Sequence, residues 1–278
     1  MILQSVPTRP ESSFGRRRPG RLACILGMLA PNQTVSVEEL ACSLDVSAAT
    51  VRRDLAVLEA HQLVTRVRGG VRYQPRGAEL PVRYRDSQFL MRKRSIAMAA
   101  VSLLPRSTHT VALTGGTTTR QIAKLLTGRS QLTVVTSALN IALELGRLPG
   151  IKVIVPGGFV RWQTHELVGP ATERTLREMD IETAFVGVDG ISVLGGITTH
   201  DEVEALTNAA MISRAARVVV VADSSKIGRV TLAQIGNLSQ VDVLVTDDSA
   251  DATEVAALSA AGIRVIVAIP SWGGQSAI

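Results

Sequence analysis

Between residues 111 and 267 the sequence repeats one pattern seven times: a run of four or five mostly apolar residues, a polar end, then in most cases a stretch with helical spacing. The runs are 111–114, 132–136, 151–155, 184–188, 218–222, 243–246 and 264–267. None approaches the roughly 20 residues needed to cross a bilayer as a helix. Runs that are apolar at nearly every position suit strands buried on both faces, and the intervening helices supply the cover. The expectation over 91–270 is therefore an α/β domain with a mainly parallel sheet. Apolar residues make up 46% of the chain and aromatics only 3%, so its core must be aliphatic.

The first third has a different texture. Residues 1–100 hold 16 Lys and Arg against 8 Asp and Glu, a net +8, whereas the remainder holds 14 against 16, a net −2. The excess positive charge is confined to one part of the chain, which points to a small separate module that meets an anionic partner. Residues 1–20, with GRRRPGR, read as a disordered basic arm. Leu22, Ile25, Leu26 and Leu29 have the spacing of a first helix of a unit over 21–73. Ser36-Val-Glu-Glu39 is a capping box that opens a second helix. Ser47 caps a third, in which Val51, Leu55 and Leu58 form the buried stripe. LVTRVRGGVRY then alternates across Gly69-Gly70 as a β-hairpin. Residues 74–90 read as a linker and 271–278 as a flexible tail. Cys24 and Cys42 lack metal-ligand spacing and are expected as small buried hydrophobes in a reducing cytoplasm.

Three short helices and a hairpin make a winged helix-turn-helix. Opposite its stripe, the third helix carries Ala49, Arg53, Ala56 and Ala60, flanked by Thr50 and Arg52. Small residues let a backbone sink into the major groove, where an arginine can grip guanine through two hydrogen bonds. The hairpin offers Arg66 and Arg68 to the phosphate backbone. With Ser47 at the helix start, these residues form the expected duplex-reading surface.

In an open α/β sheet, ligands bind beyond the carboxyl ends of the strands. Those ends read TGGTTTRQIA, TSALNIA, PGGFVR, DGI and DSSKIGR, a set suited to something polar and anionic. Gly115 and Gly116 let a backbone approach closely, and Thr117, Thr118 and Thr119 add hydroxyl and N–H donors at a helix start. Ser137 and Asn140 open another helix, Gly157 and Asp189 follow later strands, and Lys226 supplies a cation.

The stretch VEELACSLDVSAATVRRDLAVLEAHQLVTRVRGGV resembles the N-terminal domain of the DeoR family of bacterial transcription regulators. GGTTT, TSALNIA, PGGFVR, GVDGI, GITTHDEVEA and DSSKIGR are similar, in order, to that family's effector domain, and Arg85 with Lys93-Arg-Ser-Ile-Ala97 to the segment leading into it. The resemblance spans about residues 21–268. It implies a repressor released from a double-stranded DNA operator by a phosphorylated sugar or related effector, and a second domain related in fold to ribose-5-phosphate isomerase. It adds Lys93, Thr114, Asp201 and Glu202 to the expected ligand contacts. The sequence departs from the family at Gln62, where glycine is usual, at Thr114, where an acid is usual, and at Asn208-Ala209, where Lys-Arg is usual.

An isomerase would need a carboxylate base and a proton shuttle. Asp189, Asp201, Glu202, Glu204 and Lys226 are available. The acidic cluster of the isomerases is reduced here to VDGIS, and no triad, metal motif or P-loop is present. The sequence thus predicts a homo-oligomeric regulator, with no cofactor, metal or membrane partner. A sugar-phosphate isomerase and a DNA-binding scaffold without small-molecule sensing are the alternatives.

Overall fold

The computed structural model describes residues 18–29, 34–60, 63–73, 81–85 and 89–269. The arm expected at 1–20, up to residue 17, and the tail expected at 271–278 lie outside the described residues. The chain divides into two compact units, Met1–Gln88 and Phe89–Ile278.

The first unit runs α1 (Arg18–Met28), β1 (Thr34–Val35), α2 (Val37–Leu44), α3 (Ala48–Ala60), β2 (Val64–Val67), β3 (Gly70–Tyr73) and α4 (Val82–Arg85). Leu22, Ile25, Leu26, Leu40, Val51, Leu55, Leu58 and Val71 close its core. The capping box forms: Ser36 Oγ accepts from the Glu39 N–H at 3.1 Å, and Glu39 Oε2 accepts from the Ser36 N–H at 2.8 Å. The Ser36 N–H and the Ser36 hydroxyl, which donates to Glu39 Oε2 at 2.9 Å, hold the Glu39 carboxyl below its ordinary range. β1, β3 and β2 form a small antiparallel sheet in that order.

Three details differ from the sequence reading. Helix α1 starts at Arg18, inside the segment assigned to the arm. Pro19 sits in its first turn, where a missing N–H is not needed, and Arg21 is anchored on a buried carboxylate of α3. The four-residue α4 falls within the segment read as linker and packs on α1, with Val82 buried. Cys42 is exposed, not buried. It lies two positions from Leu40, about 200° around the helix. Cys24 is half-buried, and burial raises its thiol pKa.

The second unit opens with α5 (Leu90–Ser102), β4 (Thr110–Leu113), α6 (Thr117–Leu125), β5 (Leu132–Thr136), α7 (Leu139–Leu145) and β6 (Ile151–Ile154). A hairpin of β7 (Phe159–Arg161) and β8 (Glu166–Val168) follows, then α8 (Pro170–Arg177), β9 (Thr183–Gly187), β10 (Gly190–Ser192), β11 (Gly196–Thr199), α9 (Glu202–Ile212) and β12 (Val218–Val221). β13 (Ala233–Gly236), β14 (Val243–Asp247), α10 (Ala252–Ala260) and β15 (Arg264–Ala268) complete it. The seven apolar runs become one sheet of order β15-β14-β12-β9-β4-β5-β6, and every pairing in it is parallel. Val111, Leu113, Phe185, Val219 and Val245 face α5, α6 and α7 through Ile96, Ile122 and Ile141. Ala112, Val186, Val220 and Leu244 pack on the other face against Leu176, Met211 and Leu258.

Strand order fixes where a ligand can enter. The chain lays β4, β5 and β6 outward in one direction, then returns to place β9, β12, β14 and β15 on the other side of β4. The reversal leaves a crevice at the carboxyl ends of β4 and β9, the switch point at which open α/β sheets bind ligands.

Candidate functional site

On α3, Ala49, Arg52, Arg53, Ala56 and Ala60 are exposed while Val51, Leu55 and Leu58 are buried, so one face is free to meet a partner. Ser47 and Thr50 serve the helix itself. Ser47 Oγ accepts from the Thr50 N–H at 3.2 Å and lies 3.0 Å from Thr50 Oγ1. Arg52 stands 3.9 Å from Glu38, a loose exposed pair of little energetic weight. In the wing, Arg68 is exposed in the turn, but Arg66 Nε pairs with Glu59 Oε2 of α3 at 2.9 Å. Of the two wing arginines, Arg66 is thus held against α3 and Arg68 projects from the turn. Beneath α3, Asp54 is 1% exposed and takes Arg21 Nε at 2.7 Å and Arg21 Nη2 at 3.2 Å. This pairing fixes α3 on α1.

In the second unit the GGTTT loop lies at the switch point, between the end of β4 and the start of α6. Gly116 caps α6 with φ of 126°, a backbone that favours glycine, and Thr119 Oγ1 donates to its carbonyl at 3.1 Å. The first N–H groups of α6 have no partner within the helix, and the helix dipole favours an anion there. Thr117, Thr118 and Thr119 are buried. Gly115 has a different reason for its identity from the one the sequence suggested. Its N–H donates to Glu166 Oε1 at 2.5 Å, and a Cβ would stand 2.2 Å from Glu166 Cδ. The approach that needs glycine is that of the protein's own carboxylate.

Thr114 also changes role. It is fully buried, its hydroxyl accepts from the Gly187 N–H at 2.9 Å and donates to the Gly115 carbonyl at 3.2 Å. It stitches the end of β4 to that of β9, and as a side chain spent inside the fold it presents no group to a ligand. Ser137 is buried and donates to Glu166 Oε1 at 3.1 Å, and Asn140 Oδ1 is buried without a hydrogen-bond partner among the described residues. Gly157 is exposed and its carbonyl accepts from Thr172 Oγ1 at 2.6 Å. Lys93 is 3% exposed on α5.

A second cluster begins on the neighbouring strand. Lys226 Nζ donates to Asp189 Oδ1 at 3.3 Å, and Thr199 Oγ1 lies 3.2 Å from Asp189 Oδ2 and 2.8 Å from Glu204 Oε1. Arg161 Nη1 donates to Glu204 Oε2 at 3.0 Å, and Arg161 Nε stands 3.2 Å from Asp201 Oδ2. Asp201 caps α9 by accepting from the Glu204 N–H. Burial works against its charge, but the Glu204 N–H and the Arg161 guanidinium outweigh it and hold the carboxyl below its usual range. Glu202 points away, exposed in the first turn of α9.

The sequence reading missed Glu166, Arg161 and Thr199 as members of these clusters. They reach them through the β7–β8 hairpin and β11. Arg161 and Glu166 are register partners across the hairpin, one turned to the α9 cluster and the other to the GGTTT loop. Polar residues flanking a three-residue strand have no periodic signal, although PGGFVR did mark the hairpin's start. Asn208, 2% exposed with Oδ1 unpartnered among the described residues, stands one helical turn beyond Glu204 on α9. A cavity of about 500 Å³ lies at the opposite ends of β4 and β9, lined by Thr110, Asp180, Glu182, Ser213 and Arg214. It lacks the converging loop donors of the switch point. Among the described residues, no cluster of three or more His, Cys, Asp or Glu could hold a metal ion, and no helix is long and apolar enough to cross a membrane.

A three-helix unit with an exposed arginine face and a basic wing, on the same chain as an α/β unit with a donor-lined crevice, defines a DNA-binding regulator with a sensor domain. The DeoR-like helix-turn-helix domain matches residues 21–76 and the DeoR C terminal sensor domain matches residues 89–248. The chain belongs to the DeoR family of transcriptional regulators. It is 34% identical to the HTH-type transcriptional regulator GlpR of Haloferax volcanii, over 87% of this chain and 94% of that one. It is 30% identical to the glycerol-3-phosphate regulon repressor of Escherichia coli K12, over 80% and 88%. Ribose 5-phosphate isomerase from Plasmodium falciparum superposes with a TM-score of 0.35 at 16% identity, over 51% of this chain and 52% of that one, a likeness too loose to bear on activity.

Proposed function

We propose that this regulator represses genes of sugar or carbohydrate metabolism and leaves its operator when a phosphorylated sugar or related metabolite occupies the β4–β9 crevice. The observation that carries the reading is the GGTTT loop at the switch point, where α6 begins and Asn140 Oδ1 is buried without a hydrogen-bond partner among the described residues. The phosphate sits on Gly116, Thr117, Thr118 and Thr119, with Lys93 as its cation. Asn140, Asp189 and Lys226 lie on the side of the sugar. Arg53 reads bases, and Arg52 and Arg68 hold phosphates. The name of the glycerol-3-phosphate regulon repressor supports a phosphorylated small molecule as the effector class.

The protein acts in the cytoplasm as a homo-oligomer, because paired recognition helices read paired half-sites. It senses without converting. Asp189, the acid best placed for an isomerase base, is already committed to Lys226 and Thr199. A thermal-shift screen of the full chain against triose, pentose, hexose and amino-sugar phosphates tests this. At least one should raise the melting temperature and release bound duplex, without being consumed. Stabilisation by none of them contradicts the reading.

A further inference from the structure

The β7–β8 hairpin has one strand inside the fold and one outside. All three residues of β8 are buried, whereas Phe159 and Val160 of β7 and Trp162 just beyond it are 75%, 58% and 52% exposed. An aromatic side chain covers about 150–250 Å², so Phe159 and Trp162 alone leave roughly 200–300 Å² of ring surface bare. Val155 and Leu143 are also exposed, on segments joined to the hairpin: Val155 leads into it, and α7, which carries Leu143, is tied to it by the Leu139 N–H donating to the His165 carbonyl. Apolar patches of about 300–600 Å² mark interaction sites. This one is neutral. From 153 to 164 the sequence has one charged residue, Arg161, and its side chain is buried against Asp201 and Glu204. A nucleic acid or a lipid headgroup finds no charge to hold here.

The backbone says which partner fits. Leu167, opposite Val160 in the hairpin register, gives its N–H to the Ser137 carbonyl, on the side of β8 where Glu166 bridges to Ala138. Residues facing one another in an antiparallel ladder either exchange both hydrogen bonds or turn both outward. Val160 therefore turns its N–H and C=O to the outer edge of β7, which pairs with no strand among the described residues.

We propose that β7 pairs antiparallel with β7 of a second copy of the chain, about a two-fold axis through Val160. This rests on the reading of the protein as a homo-oligomer and supplies its interface. The two Val160 residues exchange both hydrogen bonds. Val160, with Trp162 two residues on, lies on one face of the joined sheet, where each valine meets its copy and the aromatic rings lie on the diagonals. A second copy brings the same neutral surface and the same open edge, as a self-complementary two-fold contact requires. A standard interface buries about 800 Å² per copy, and the exposed side chains and strand edge make up a large part of that. Pairing also removes an apolar strand edge that would otherwise invite aggregation.

Two variants test it by different routes. Val160→Lys sets two like charges on the axis at a position that is already exposed. Val160→Cys sets two thiols there, with Cα atoms about 5.5 Å apart, within the span of a disulfide. Full-length wild type and both variants are compared by sedimentation and, under mild oxidant, by non-reducing electrophoresis. Wild type should sediment as an oligomer and Val160→Lys at half its mass, with the helical signal unchanged. Val160→Cys should form a cross-linked dimer whose disulfide maps, by peptide mass, to residue 160 on both sides. Wild type, with Cys24 and Cys42, controls for cross-links made elsewhere. If Val160→Lys does not fold, the mapped cross-link decides alone. An oligomeric wild type whose mass Val160→Lys leaves unchanged, with no cross-link at residue 160, overturns the interface and leaves the homo-oligomer standing. A monomeric wild type removes the interface and the homo-oligomer together.

Discussion

The two units solve opposite problems. In the first, the side chains proposed to touch DNA are exposed on a helix whose other face is an aliphatic core, and they carry little of the fold. In the second, the polar groups at the strand ends are buried and bonded to one another, so the crevice and the fold share the same residues. Substitutions in the reader should separate binding from stability, whereas substitutions in the sensor should move both. The exceptions in each unit make the sharpest tests.

The largest effect is expected at Asp54, the polar residue of α3 that the fold does use. Asp54→Ala takes the buried carboxylate from beneath Arg21, and breaking a buried pair from one side costs about 3–5 kcal/mol. Duplex binding should be lost along with the helical signal of the first unit, while stabilisation of the second unit by its effector persists. Arg53→Ala lies one residue away and should leave folding intact. It should lower affinity for the preferred duplex by about 1–3 kcal/mol and relax base preference, which competition against scrambled duplex measures. Arg68→Ala, by contrast, should weaken all duplexes alike and reduce the slope of log affinity against log salt by about one.

Much of this division is legible in the sequence. Seven apolar runs announce the parallel sheet, and Ser36 and Glu39 spaced as a capping box announce α2. The short elements are not legible: two-residue β1 and three-residue β7, β8 and β10 are too brief to show alternation. Nor are the pairings that give polar residues their roles. Asp54 looks like any exposed helix acid until Arg21 is seen against it, and Glu166 looks like a loop acid until the backbone of β8 brings it to Gly115. Thr114 is the instructive case. The sequence marks it as a departure from the family at a ligand position, and the structure spends its hydroxyl on Gly187.

Thr114→Val tests that reassignment with a smaller effect. It removes an acceptor from the Gly187 N–H, at about 1–3 kcal/mol, and should lower the melting temperature of the second unit by the same amount with and without effector. A loss of effector affinity beyond the loss of stability would return Thr114 to the ligand site. The smallest effect belongs to Asp201→Asn, which keeps a good cap for α9 and removes only charge. Because the Asp201 carboxyl is held below its ordinary value in the folded protein, its charge stabilises above the unfolded value of about 3.9 and ceases to as pH falls through the folded one. Urea melts should show wild type slightly more stable than the variant at neutral pH, and the gap closing below about pH 4.

If effector releases DNA, the crevice and the recognition helix are linked through one equilibrium. Its direct test is the affinity of the full chain for its most stabilising sugar phosphate, measured with and without a duplex selected by the protein from a random pool. Linkage requires the two ligands to weaken one another by the same factor. Effector affinity should drop on DNA by the same factor as DNA affinity drops on effector. An effector affinity indifferent to saturating duplex would contradict it.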